Sequence, residues 1–325
     1  MSRVTEKIDL APVLTPGGQV VEEARTAHRA PQSARRRRRA RTGALLVTPA
    51  LALIVAFVLF PLGFAIYISL TNWPLIGSYH YIGFSNYREL FSDPEFRHAA
   101  TFTLTYTAIV TLPIFFLGYA LAVLLRANRF GSKVFRTLFF LPFVVGLTTE
   151  SFMFAIELQP GSGWVDWLLS RIGVASSTQA WTVSHGRALL MISVIVVWFA
   201  SGLTMLILTG GMQGIPRELY EAADVDGASA WQRFVSITLP MLRPAIFVAL
   251  IFRTITAIQT FDIPYAMTGG GPGDSTETLA MYIQKTTLDF LDFGYGSALA
   301  ALMFVVSMIA TSSYLRYTRR SAGRD

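Results

Sequence analysis

The chain has 325 residues, 53% hydrophobic and 14% charged, with a net charge of +7 and no cysteine. A soluble domain carries about 25% charged residues, and here the apolar residues gather into runs of about 20 or more, enough to span about 30 Å of hydrocarbon. This excludes a soluble globular protein, and the missing cysteine excludes disulfides, thiolate metal sites and thiol nucleophiles. A β-barrel would need alternating segments of about ten residues.

Residues 1–42 are polar, interrupted by proline and glycine, and show no sustained periodicity, which predicts a disordered tail. The tail closes on Arg35-Arg36-Arg37-Arg38-Arg39 and Arg41, directly before an apolar run. That position favours a positive-inside anchor near anionic headgroups over a nucleic-acid patch. Six apolar spans follow, over about 44–70, 99–125, 134–157, 187–211, 242–267 and 296–315. Prolines 49, 61, 113, 142, 244 and 264 fall in or at the ends of these runs and predict kinks, because neighbouring helices can satisfy the backbone groups they free. The expected fold is all-α, a polytopic six-helix domain over 43–318, with a cytoplasmic loop at 212–241 and a short tail at 319–325.

Orientation follows from Lys and Arg. Ten lie in the N-terminal tail, four in 126–136, three in 212–243 and four at the C-terminal end, 21 on one side against 5 in the loops between. Both termini are therefore expected in the cytoplasm, with membrane lipid rather than nucleic acid as the basic partner. The outer loop 71–98 carries Trp73, Tyr79, Tyr81, Phe84 and Tyr87, an aromatic belt or a docking surface. The stretch WVDWLLSRI from Trp164 reads as a short amphipathic helix at the interface. The glycine-rich Gly269, Gly270, Gly271 and Pro272 predict a flexible outer turn. No histidine falls within these spans, and no recognisable hydrolase constellation is present.

The most structured polar interruption is EAADVDGASAWQRFVSITLP, residues 221–240. Pro216 suits a first helical turn, Glu218 and Glu221 favour the positive end of the helix dipole, and Gly227 suits a left-handed helix end. A second short helix is expected over about 229–236, after which Leu239-Pro240 leads back into the membrane. A solvated helix without a partner is the alternative reading of these residues.

The spacing is more specific than the local signals. Glu221-Ala222-Ala223, three residues, Gly227, nine residues, Ile237, one residue and Leu239-Pro240 resembles the signature loop of bacterial binding-protein-dependent ABC import permeases. Further stretches are similar to carbohydrate-importer permeases of the maltose and glycerol-phosphate type: LFPLGFAIYISLTNW at 59–73, IGFSNYREL at 82–90, VFRTLFFLP at 134–142, and FRTITAIQTFDIPYAMTGGGPGDSTETLAMYI at 252–283. The resemblance covers about 44–316. Thr256 stands where relatives often have Asp, and Glu150 and Glu157 stand where they are more often apolar or aromatic.

The resemblance implies a type I importer fold. It implies a second homologous permease, an ATPase dimer holding ATP and Mg, and an extracytoplasmic solute-binding protein facing the 269–272 turn. It also implies ATPase coupling through Glu221, Ala222, Ala223, Asp224, Gly227, Ile237, Leu239 and Pro240. The chain itself has no Gly-x-x-x-x-Gly-Lys-Ser/Thr phosphate loop, so it is not expected to be an enzyme or to hold a cofactor. Ionisable groups within spans are costly and usually face an interior or a cavity. Gln259, Asp262 and Tyr265 recur at helical spacing on the fifth span, near Thr256. With Glu150 and Trp198 they form the candidate solute pathway, carboxylates and amides for hydroxyls and aromatics for sugar faces. Packing and inter-helical hydrogen bonding, including an Arg253–Glu pair, is the competing account. The function expected is import of a carbohydrate-like solute. Import of glycerophosphodiesters or polyols, or an ion-coupled carrier, are the alternatives.

Overall fold

A computed structural model describes residues 43, 45–74, 76–126, 132–161, 163–171, 173 and 184–322. The arginine-rich tail and residues 127–131 lie outside the described residues. Among the described residues five helices are long and apolar enough to cross a membrane, or six when one bent pair is counted as a span. The chain divides into two units, one ending at Gly63 and the other starting at Phe64.

The first helix, α1, runs Leu45–Ser69. Its turn Val55–Leu59 is widened, with the Phe60 amide donating to Val55 O. Pro61, two residues on, lacks the amide that would serve a carbonyl of that turn. After a short α2 (Ser85–Ser92) comes α3 (Pro94–Arg126), which carries Pro113 without interruption. Helix α7 (His185–Gln213) packs along α3, the most extensive helix contact among the described residues. Lipid offers apolar side chains little reason to leave it, so close approach of small residues dominates such contacts. A Cβ on Gly118 of α3 would lie 2.8 Å from Thr204 of α7. The core between them includes Tyr106, Val110, Ile192 and Phe199.

Two expected spans are broken. The third is a pair, α4 (Ser132–Val145) and α5 (Leu147–Glu157), bent by 97°. The bend sits at Gly146, whose φ of +98° a residue with a Cβ adopts only with strain. Helix α6 (Trp164–Arg171) follows and is amphipathic as expected, with Trp164 and Trp167 exposed.

The fifth span ends early. A helix α8 (Arg217–Val225) precedes α9, which runs unbroken over Ala230–Ile258. The chain then leaves helical geometry and restarts as α10 (Asp262–Thr268). The physical cause is Pro264, which has no amide to donate back to the Thr260 carbonyl. That carbonyl accepts instead from the Thr278 hydroxyl at 2.9 Å. Helices α11 (Leu279–Gln284) and α12 (Phe293–Ala322) complete the chain. Helix α12 therefore continues through the expected tail at 319–322, and α3 and α7 begin early enough to take in His98 and His185, which the sequence placed outside the spans.

Candidate functional site

The end of helix α8 is closed by backbone hydrogen bonds. Gly227 has φ +71°, its amide donates to Asp224 O at 3.1 Å, and the Ala228 amide donates to Ala223 O at 2.9 Å. This is the Schellman arrangement, which satisfies carbonyls that a helix end leaves free. Two residues later Ser229 and Gln232 form a reciprocal capping box that starts α9. The joint between α8 and α9 is therefore defined on both sides. Asp224 pairs with Arg233 across it, and the Tyr220 and Thr238 hydroxyls meet at 2.8 Å.

Glu221, Ala222 and Gly227 are exposed, whereas Ala223 is half-buried. Apolar side chains stand exposed on the same loop, Val225 at 88% and Trp231 at 70%. Ile237 and Pro240 are half-buried and Leu239 is exposed. Leu239-Pro240 does not follow a separate short helix. A widened turn over Phe234–Thr238, with the Leu239 amide donating to Phe234 O, lets Pro240 sit inside one continuous helix. The widening again ends two residues before the proline, as in α1.

The second cluster lies where the two broken spans meet. Helix α10 packs on α5, and Thr148 Oγ1 donates to Asp262 Oδ1 at 2.7 Å. Tyr265 stacks on Phe261 with ring centroids 4.8 Å apart. The expected common face of Gln259, Asp262 and Tyr265 is not a face of one helix: Gln259 lies beyond the last residue of α9, and the other two belong to α10. Trp198 packs edge-on against Phe154 of α5 at 5.8 Å. Glu150 is 6% exposed, with Oε2 lacking a hydrogen-bond partner among the described residues. Glu157 instead accepts from the Trp164 amide at 2.9 Å and so holds the start of α6.

Thr256 lies beside a cavity of about 140 Å³ with Arg253, Thr260 and mostly apolar neighbours. Its hydroxyl donates back to Phe252 O and Arg253 O. Arg253 is 6% exposed and donates Nε to Thr204 Oγ1 at 2.9 Å. The Arg253–Glu pair is replaced by that Thr204 contact, because neither glutamate forms an ion pair with it among the described residues.

The glycine-rich turn is ordered by its own hydrogen bonds rather than loose. Gly269 and Gly270 both have positive φ. Thr276, fully buried, hydrogen-bonds through its hydroxyl to Gly271 O and to Thr268 Oγ1, each at 2.7 Å. Gly270 is buried, and Gly271 and Pro272 are half-buried. The Leu279 amide then donates to Thr103 Oγ1 at 2.8 Å, which fixes the turn to α3.

A further cluster was not foreseen. The hydroxyls of Tyr282 and Tyr295 both donate to Asp93 Oδ2, at 2.6 and 2.5 Å. Burial opposes ionisation of Asp93, but the two hydroxyls and the Glu95 and Phe96 amides outweigh it and hold the carboxyl below its usual range. Only the Asp93-Pro94 helix-start signal was visible in the sequence, since the tyrosines lie about 190 and 200 residues away. Beside this cluster Lys285 bridges Glu277 at 3.3 Å and Asp274 at 3.5 Å. Burial lowers the affinity of Lys285 for its proton, and these two carboxylates more than restore it.

Comparison with known proteins places these elements. Residues 100–322 match the family described as binding-protein-dependent transport system inner membrane component. The chain is 43% identical over 277 residues to the sulfoquinovosyl glycerol transport system permease protein SmoG of Agrobacterium fabrum, covering 85% of this chain and 89% of that one. It is 34% identical to the trehalose/maltose transport system permease protein MalF of Thermococcus litoralis, covering 87% and 95%. A chain in the crystal structure of a bacterial alginate ABC transporter, in complex with an alginate pentasaccharide-bound periplasmic protein, shares the fold. Its TM-score is 0.74 at 23% identity, covering 87% of this chain and 96% of that one. A match over more than half of the residues, with relatives this similar along nearly their whole length, leads to one conclusion: the chain belongs to the family of binding-protein-dependent transport system inner membrane components.

Proposed function

We propose that the chain is a permease subunit of an ATP-driven importer and forms half of the translocation pathway for a carbohydrate or carbohydrate-like solute. In this reading both termini lie in the cytoplasm. A second homologous permease completes the pathway, an ATPase dimer supplies ATP hydrolysis with Mg, and an extracytoplasmic binding protein delivers the solute. The observation that carries the reading is the joint at α8: a helix with Glu221 and Ala222 exposed, linked through a Schellman end and a capping box to α9, which runs unbroken to Ile258. A connector must differ in its contacts between two states and must transmit that difference. A stiff joint on an unbroken helix meets that requirement.

The solute class is supported by the sulfoquinovosyl glycerol and trehalose/maltose systems of the relatives. The pathway residues proposed are Glu150, Trp198, Thr256, Gln259, Asp262 and Tyr265, on and beside the meeting of α5 and α10. The turn at Gly269, Gly270, Gly271 and Pro272 is proposed to face the binding protein. The test is co-purification with uptake. An ATPase subunit accompanies the wild-type chain, and Glu221→Arg abolishes ATP-coupled uptake while leaving the chain in the membrane. Uptake that persists without ATP and collapses with the ion gradient would refute the proposal in favour of an ion-coupled carrier.

A further inference from the structure

A second cavity, of about 370 Å³, opens among the end of α3, the start of α4, the end of α7 and the start of α8. The Lys and Arg bias assigns this end of the helices to the cytoplasm. Its polar lining is Arg136, Arg217, Thr209 and Gln213, and its apolar lining is Leu125, Met212 and Ile215. No carboxylate lines it among the described residues. Neither arginine forms an ion pair among the described residues. Arg136 Nε is buried and has no hydrogen-bond partner among them. Thr209 already donates its hydroxyl to Met205 O at 2.7 Å, so its oxygen adds little positive character. What remains is an apolar floor under two guanidinium groups and an amide.

A buried cationic donor without an acceptor is costly, and guanidinium groups match phosphate oxygens two at a time. The volume equals about a dozen waters at about 30 Å³ each, room for a phosphate group with part of its hydration shell. Basic pockets between helices at the cytoplasmic face suit anionic headgroups. We propose that this cavity is a binding site for a phosphate-type anion, held by Arg136 and Arg217 at the root of α8. A ligand there joins α3, α4 and α7 to the element through which coupling is proposed, so its occupancy would set how firmly α8 is held.

The shared chemistry has two sources, an anionic lipid headgroup or a soluble phosphate, and two arms separate them. The full-length chain, with the subunits it retains, is placed in phosphatidylcholine nanodiscs with and without phosphatidylglycerol, in phosphate-free buffer. Inorganic phosphate is titrated into the discs of phosphatidylcholine alone, whose own phosphate is neutralised by choline. Ligand binding raises the unfolding midpoint, and native mass spectrometry reads retained lipid.

Stabilisation by phosphatidylglycerol alone assigns the headgroup, and stabilisation by inorganic phosphate assigns the soluble anion; either supports the site. Arg136→Gln and Arg217→Gln are each expected to weaken binding by about tenfold or more, the loss of a hydrogen bond to a charged group. Arg217 is exposed, so its variant keeps the test intact should Arg136→Gln fail to fold. Arg243→Gln removes an exposed cation elsewhere at the same end and is expected to bind as wild type. No response to either ligand, an undiminished response in the Arg136→Gln/Arg217→Gln double variant, or equal weakening in Arg243→Gln would overturn the proposal.

Discussion

Gly227 offers a way to separate backbone conformation from surface contact in the α8 joint. Its φ is +71°, and a Cβ built there meets nothing within 4 Å. Alanine at this position therefore suffers no clash within the chain, and its cost is that of holding an L side chain in the left-handed region, roughly 1–2 kcal/mol. Asparagine tolerates that region better and is the common substitute for glycine at such helix ends. The expected order of local stability is Gly, then Asn, then Ala. Hydrogen exchange at Ala228 reads it directly, because that amide is bound to Ala223 O at 2.9 Å. A loss of 1–2 kcal/mol raises the open population roughly 5- to 30-fold. Retention of the proposed ATPase on affinity-purified chain supplies the functional arm, with Ala retaining less than Asn. If Asn loses more ATPase than Ala, side-chain bulk on a contact face decides and the conformational reasoning is wrong. If all three exchange alike, the Schellman end does not hold the joint.

Two further outcomes test the helix contacts and the Asp93 cluster. A Cβ on Gly202 of α7 would lie 2.1 Å from the Phe139 carbonyl oxygen of α4, whereas Gly210 on the same helix has open space. Gly210→Ala is expected to stabilise by up to about 1 kcal/mol through helix propensity, and Gly202→Ala to destabilise by about 1–3 kcal/mol through overpacking; unfolding in mild detergent gives both, and equal shifts would show that α4 and α7 are not packed this way. At the Asp93 cluster, Tyr282→Phe and Tyr295→Phe are each expected to cost about 1–3 kcal/mol, because the carboxylate loses a hydroxyl donor. The Asp93 carboxyl is held below its usual range, so its stabilising effect is full above the ordinary carboxylate pKa of about 3.9 and is lost as pH falls through the lower folded value. Asp93→Asn should thus differ most from wild type at neutral pH and converge with it only in strong acid, as followed by unfolding midpoints.

The apolar run lengths made the helical class and the number of spans legible, because crossing hydrocarbon fixes both length and composition. The same windows could not locate the breaks. Gly146 sits in an apolar stretch, and its positive φ is a backbone property that hydropathy does not carry. Pro264 signalled a disturbance, but the gap falls three to five residues earlier, at Gln259–Phe261, because the carbonyl that loses its donor is Thr260. The partner that replaces the donor, Thr278, lies in what reads as a loose glycine-rich loop. Leu239-Pro240 was visible as a signature, yet its physical consequence, a widened turn inside a continuous helix, depends on the backbone hydrogen-bond pattern. The Asp93 cluster and the arginine-lined cavity were out of reach for a simpler reason: their members are far apart in sequence and have no periodicity to betray them.

Helix α9 has a mechanical consequence of its own. Its 29 residues make a rod about 43 Å long at 1.5 Å per residue. One tip carries Trp231, beside the proposed ATPase contact, and the other stops one residue short of Gln259. Its hydrogen bonding widens at Phe234–Thr238 but is not interrupted before Ile258, so tilt applied at Ala230 is carried along the helix toward Ile258. The first compliant point is the gap before α10, the three residues Gln259–Phe261 that belong to neither helix. Displacement is therefore released beside Asp262 and Thr148, so α9 would act as a crank whose stroke is spent among the proposed solute-contacting residues.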